Sequence, residues 1–130
     1  MLPSVRTYMD SDTHSFSTTD DIHEALNHLI DEGITGSPVV DTGGQLVGML
    51  SEYECLRLLT HGDGTIGGTV ADYMEPSFQA ITPDMDVYYV AGLFLADPVH
   101  RRFPVVEGQR LVGVITRKDI LRAVQRAFKA

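Results

Sequence analysis

Pro104-Val105-Val106-Glu107-Gly108-Gln109-Arg110-Leu111-Val112-Gly113-Val114-Ile115-Thr116-Arg117-Lys118-Asp119 has an earlier counterpart in Pro38-Val39-Val40-Asp41-Thr42-Gly43-Gly44-Gln45-Leu46-Val47-Gly48-Met49-Leu50-Ser51-Glu52-Tyr53-Glu54. Each stretch reads as a β-branched strand, a glycine-containing turn, a second strand through Leu-Val-Gly, and a hydroxyl residue that opens a helix. The Leu-Val-Gly segments lie 65 residues apart, the Pro-Val-Val segments 66, and Tyr8-Met9 stands 65 residues before Tyr73-Met74. A period this long marks a duplicated structural unit rather than a chance motif.

Upstream of each hairpin lies an apolar stripe of helical period. In the first repeat, Thr18-Thr19-Asp20-Asp21 offers a helix start, and Ile22, Ala25, Leu26, Leu29 and Ile30 follow at i, i+3, i+4, i+7 and i+8, stopped by Gly33. In the second, Thr82-Pro83-Asp84 opens the helix, Val87, Val90, Ala91, Phe94 and Leu95 fill the same slots, and Pro98 ends it. His14–Ser17 and Phe78–Ile81 are expected as short strands before those helices. The fold class is therefore α/β (α+β): two β-α-β-β-α repeats with small mixed sheets, expected to pack as a pseudo-twofold pair with any ligand in the cleft between them. The expected boundaries are 1–62 for the first repeat, 63–69 for a glycine-rich linker and 70–130 for the second, all in one module. The linker has neither the strand before it nor the Gly-Lys-Ser/Thr ending of a phosphate-binding loop.

With 130 residues and 43% hydrophobic content the chain can bury one core, whereas halves of about 60 residues are marginal alone. No apolar run approaches the roughly 18 residues of a membrane span, and the first residues lack the apolar stretch of a signal peptide, so a cytoplasmic protein without membrane contact is expected. Cys55 is the only cysteine and matches Ile120, which suits a core residue rather than a disulfide, a zinc ligand or a reactive thiol. The net charge of −8 disfavours nucleic-acid binding. The charge is divided: residues 1–100 carry −14, from two basic and sixteen acidic residues, and residues 101–130 carry +6, from eight basic and two acidic.

That basic segment contains the chemistry. Where Ile115-Thr116-Arg117-Lys118-Asp119 passes from strand to helix, the helix N-terminus favours a phosphate, the Thr116 hydroxyl donates to it, and Arg117 and Lys118 add charge. Asp119 is placed to accept both hydroxyls of a ribose. Arg101-Arg102-Phe103-Pro104 leads into the neighbouring strand and brings further guanidinium groups. The competing reading is purely structural, because Thr-x-x-Asp is also a capping box. Five histidines suggest no metal site, since only His23 and His28 are close in sequence and their spacing of five puts them on different helix faces. Nothing resembles a catalytic triad or nucleophile elbow, and no enzyme activity or required cofactor is expected.

Two β-α-β-β-α repeats, each with Tyr-Met, Pro-Val-Val, and Leu-Val-Gly feeding Ser/Thr-x-x-Asp/Glu, resemble a tandem pair of cystathionine-β-synthase-type (CBS) domains, a Bateman module, across roughly Val5 to Val124. The resemblance implies a stand-alone regulatory module that binds AMP, ADP or ATP, or alternatively S-adenosylmethionine, forms a homodimer and modulates an unidentified partner protein. A structural dimerisation module without ligand is the alternative. By position, the resemblance assigns Thr116 with Arg101 or Arg102 to phosphate and Asp119 to the ribose. It places the backbone around Ala80, Ile81 and Thr82 on the adenine and makes Phe103 and Pro104 the walls of the base. A second, weaker site would use Ser51, Glu54, Ser37 and Pro38, with glutamate replacing aspartate and no basic residue following Ser51.

Overall fold

The computed structural model describes residues 3–62 and 65–129, so Asp63 and Gly64 of the expected linker lie outside the described residues. The elements run α1 (Val5–Tyr8), β1 (Phe16–Ser17), α2 (Ile22–Glu32), β2 (Gly36–Val40), β3 (Leu46–Ser51), α3 (Glu52–His61), a 3-10 turn at Val70–Asp72, α4 (Val87–Ala96), β4 (Arg102–Glu107), β5 (Arg110–Thr116) and α5 (Arg117–Lys129). None of the described helices is long and apolar enough to cross a membrane.

The chain divides into two units whose boundaries differ from those of the repeats. Unit 1 comprises Met1–Thr13 with Gln79–Ala130, and unit 2 comprises His14–Phe78. The segment that precedes each repeat therefore belongs with the other one. In unit 1, Asp10 pairs with Val114 and Ile81 runs parallel to Val105, flanking the antiparallel β4–β5 hairpin on both sides. In unit 2, β1 pairs parallel with β2, β2 antiparallel with β3, and Met49 pairs with Glu75 at the far edge. The expected strand at Phe78–Ile81 is reduced to the single bridge at Ile81. Both hairpins shift register at the same place, between Val39 and Val40 and between Val105 and Val106.

Each unit fills its own core. Unit 1 buries Val5, Ile81, Val87, Val90, Phe94, Phe103, Val105, Ile115, Ile120 and Ala123; unit 2 buries Phe16, Ile22, Ala25, Leu29, Val39, Leu50, Cys55 and Val70. The helix limits follow local chemistry. Asp21 caps α2 by accepting from the N–H groups of His23 and Glu24, and Gly33 ends it in the left-handed region at φ 64°. Asp86 caps α4 by accepting from Tyr88 N–H at 2.7 Å. Cys55 packs in the core as expected, and burial pushes its thiol pKa up to about 11, which keeps it protonated and unreactive near neutral pH.

Candidate functional site

Thr116 closes β5 and Arg117 starts α5. The Thr116 Oγ1 accepts from Asp119 N–H at 3.3 Å, and Asp119 Oδ2 accepts from Thr116 N–H at 2.8 Å, so the reciprocal capping box is formed. Asp119 is only 4% exposed, and its Oδ1 receives the guanidinium of Arg122. The cap uses one carboxylate oxygen, and Arg122, whose side chain is 54% exposed, takes the other.

Arg102 stands opposite Thr116 in the β4–β5 register. Burial lowers its pKa, against the opposing influence of the Asp10 and Asp119 carboxylates. Its Nε is buried and, like that of Arg117, has no hydrogen-bond partner among the described residues. A buried donor without an acceptor costs about 1–3 kcal/mol, and a ligand oxygen would relieve that cost. Arg101 and Lys118 are exposed, on the turn before β4 and the first turn of α5.

Three expectations are corrected by this geometry. Arg117 does not add its charge at the strand–helix junction: its Nη2 donates to the carbonyls of Asp97 at 2.9 Å, His100 at 3.1 Å and Phe94 at 3.5 Å, and so closes the C-terminal end of α4. Phe103 is no wall for a base. It stacks on Phe94 inside the core with ring centroids 4.1 Å apart, because strand alternation puts Phe103 and Val105 on the core face and Pro104 on the other. Ile81 also has no backbone group to spare, since its N–H donates to Pro104 O and its carbonyl accepts from Val106 N–H. On either side, the Ala80 carbonyl accepts from Gln79 Nε2 at 3.3 Å and the Thr82 carbonyl from Met85 N–H at 3.2 Å, while Pro104, whose carbonyl takes the Ile81 N–H, is buried.

The first-repeat junction is built alike. Ser51 Oγ accepts from Glu54 N–H at 3.2 Å, and Glu54, 8% exposed, receives Arg57 Nε at 2.8 Å. Arg57 and Arg122 lie 65 residues apart and engage the equivalent acids, a correspondence that the acid–base spacing of three signals on a helix but that sequence reasoning passed over. Buried Ser37 donates to the carbonyl of His14 at 2.8 Å, and Pro38 is fully buried opposite Met49. His14 in turn packs edge-on against His28 with centroids 3.9 Å apart, a contact that spacing alone did not indicate; burial and His28 lower the His14 pKa.

With this geometry established, similarity to known proteins is informative. The family model described as CBS domain matches twice, over residues 5–61 and 70–126. The chain is 31% identical over 140 residues to the CBS domain-containing protein CBSX1, chloroplastic, of Arabidopsis thaliana, covering 86% of this chain and 59% of that protein. It is 33% identical over 105 residues to the A-adding tRNA nucleotidyltransferase of Aquifex aeolicus, covering 80% of this chain but 12% of the enzyme. The chain thus spans less than two thirds of these relatives. Among solved structures, that of CBSX2 in complex with AMP superposes with a TM-score of 0.84 at 30% identity, covering 96% of this chain and 98% of that one.

Proposed function

Because the chain belongs to the CBS domain family, we propose that it is a cytoplasmic regulatory module that binds an adenosine nucleotide at the β5–α5 junction and transmits occupancy to a partner protein. One observation carries the reading. Among the described residues, the buried Nε of Arg102, whose residue stands opposite Thr116 in the β4–β5 register, lacks an acceptor, and a phosphate would supply one. Asp119 then takes the ribose hydroxyls, Thr116 and Arg102 take phosphate, and Pro104 with the backbone of Ala80 and Thr82 lies against the base. The 30% identity to a chain solved with AMP supports AMP as the first ligand to test, with ADP, ATP and S-adenosylmethionine as comparators. Ser51 and Glu54 form the weaker site, since Glu52 adds a second carboxylate to that junction. Regulation requires the ligand to favour one arrangement of the module over another, and the role is binding rather than catalysis. The module self-associates through its exposed apolar helices.

Calorimetric titration of the whole chain tests this. AMP binding is expected to weaken roughly ten- to hundredfold in Arg102→Leu, while binding of adenosine, which has no phosphate, is retained. Asp119→Ala should abolish both and cost about 1 kcal/mol of stability as a lost cap. If none of the four ligands binds the wild-type chain, the nucleotide reading fails. A stability loss in Asp119→Ala with unaltered binding would leave only the cap.

A further inference from the structure

Thr116, Asp119 and Arg122 follow one another at intervals of three, and so do Ser51, Glu54 and Arg57. Three residues is close to one helical turn, so each arginine stands beside its acid on the same side of the helix, with the acid nearer the N-terminus, as the helix dipole favours. Arg122 Nη2 donates to Asp119 Oδ1, and in unit 2 Arg57 brings Nε, at 2.8 Å, and Nη2 to Glu54 Oε1. Exposure is divided in the same way in both pairs: the acid side chains are 6% and 11% exposed, and the arginine side chains 54% and 45%. The arrangement is present in both units although the hydroxyl residue and the acid differ between them, so it belongs to their shared architecture.

The two oxygens of Asp119 are held differently. Oδ2 accepts from the backbone N–H of Thr116, a bond that forms with the start of α5 and opens only if that start unravels. Oδ1 accepts from the end of a long side chain that is already half in water. An ion pair this exposed is weak, so rotating Arg122 away costs little. Reaching a carboxylate that is 6% exposed, on the other hand, requires one of its partners to move, and Arg122 is the one that can. Guanidinium and hydroxyl groups are both donors to carboxylate oxygens, so Arg122 and a ribose diol compete for Oδ1.

We propose that Arg122 guards the ribose position: it covers the Asp119 carboxylate and must swing off it before a ribose diol binds. It thereby lowers the affinity for ligands that carry both hydroxyls and has no effect on ligands that carry neither. This rests on the adenosine reading of the β5–α5 junction and adds the residue that opposes binding there.

Calorimetric titration of the whole chain with adenosine and with 2′,3′-dideoxyadenosine, which lacks the diol, tests this. Neither compound is charged, so added salt acts on the charges of the protein alone. Arg122→Ala removes the guard, and Arg122→Gln keeps most of its length without the charge; the position is exposed, and circular dichroism checks that both variants fold. Adenosine is expected to bind both variants about two- to fivefold more tightly than wild type, the worth of an exposed ion pair expressed as affinity, while 2′,3′-dideoxyadenosine gains nothing. In wild type, adenosine binding should tighten as sodium chloride is raised, because salt weakens the pair, and in Arg122→Ala it should not. Weaker or unchanged adenosine binding in both variants would overturn the proposal and leave Arg122 as a support for the carboxylate or for the helix. A gain of the same size for the dideoxy compound would overturn it too, since the effect would not pass through the diol. In either case adenosine still binds the wild-type chain and the nucleotide reading stands, whereas adenosine that binds neither wild type nor variant overturns that reading itself.

Discussion

Gly48 and Gly113 occupy their positions because another segment passes where a side chain would begin. A Cβ on Gly113 would lie 2.8 Å from Asp10 O and 3.1 Å from Met9 Sδ, and one on Gly48 would lie 2.8 Å from Glu75 O and 2.9 Å from Met74 Sδ. The glycine of each Leu-Val-Gly motif is thus explained by a Met of a Tyr-Met motif, and the two recurrent motifs are one contact. Backbone pairing between Asp10 and Val114 holds the segment in place, so Gly113→Ala must displace a strand and is expected to cost about 1–3 kcal/mol. Gly92, inside α4, has nothing within 4 Å of an added Cβ, and Gly92→Ala should stabilise by about 0.5–1 kcal/mol. Urea unfolding of both variants checks the opposite signs. The motifs themselves were legible as repeats, but their partnership was not, because Asp10 and Gly113 are brought together by tertiary pairing and no local spacing records it. Likewise Thr116 and Asp119 were legible through a spacing of three, whereas the orphaned Nε of Arg102 depends on strand register and burial.

Among the elements, α2 and α4 show what a periodic stripe does and does not specify. Five apolar positions were read in each, yet Ile30 and Leu95 at i+8 face outward. With 100° per residue, i+8 falls on the edge of the stripe, about 80° from its first residue, so the buried face is narrower than the apolar count implies. The end of α4 is held by more than its own sequence. Arg117 donates to the carbonyls of Phe94, Asp97 and His100, while the Asp97 carboxylate accepts from the backbone N–H groups of Val99 and His100 and meets His100 Nδ1 at 2.7 Å. Burial alone would raise the Asp97 pKa, but the hydrogen bonds and charge of His100, with the Val99 N–H, outweigh it and hold the carboxyl below its ordinary value of 3.8. A carboxyl with a depressed folded-state pKa stabilises fully above its unfolded value and loses that contribution as pH falls through the folded value. The melting-temperature gap between wild type and Asp97→Asn should therefore be open at neutral pH and close as pH drops below about 4. A gap of constant size across that range would show that the ionised carboxylate contributes nothing.

For the whole molecule, the exchange of leading segments decides where the chain can be divided. Repeat boundaries suggested cuts at 1–62 and 70–130, yet unit 2 runs from His14 to Phe78. Residues 14–78 include Val70, fully buried in the unit 2 core, the packed Tyr73 and Met74, and the Glu75 backbone that pairs with Met49. The fragment 1–62 lacks all four and instead carries Val5, whose burial belongs to the other core. Burying a valine fully contributes roughly 1.5–3 kcal/mol, and losing one while leaving an edge strand unpaired is severe for a unit of this size. Expressed separately, 14–78 is expected to unfold cooperatively in urea, and 1–62 to show no cooperative transition. The converse should hold for the second half: 70–130 stays unfolded alone, and a peptide of residues 1–13 added in trans restores its structure by supplying Val5 and the Asp10 pairing. Equal folding of 1–62 and 14–78 would mean that the exchanged segments are accessory and that the sequence repeats, rather than the spatial units, are the folding units of this chain.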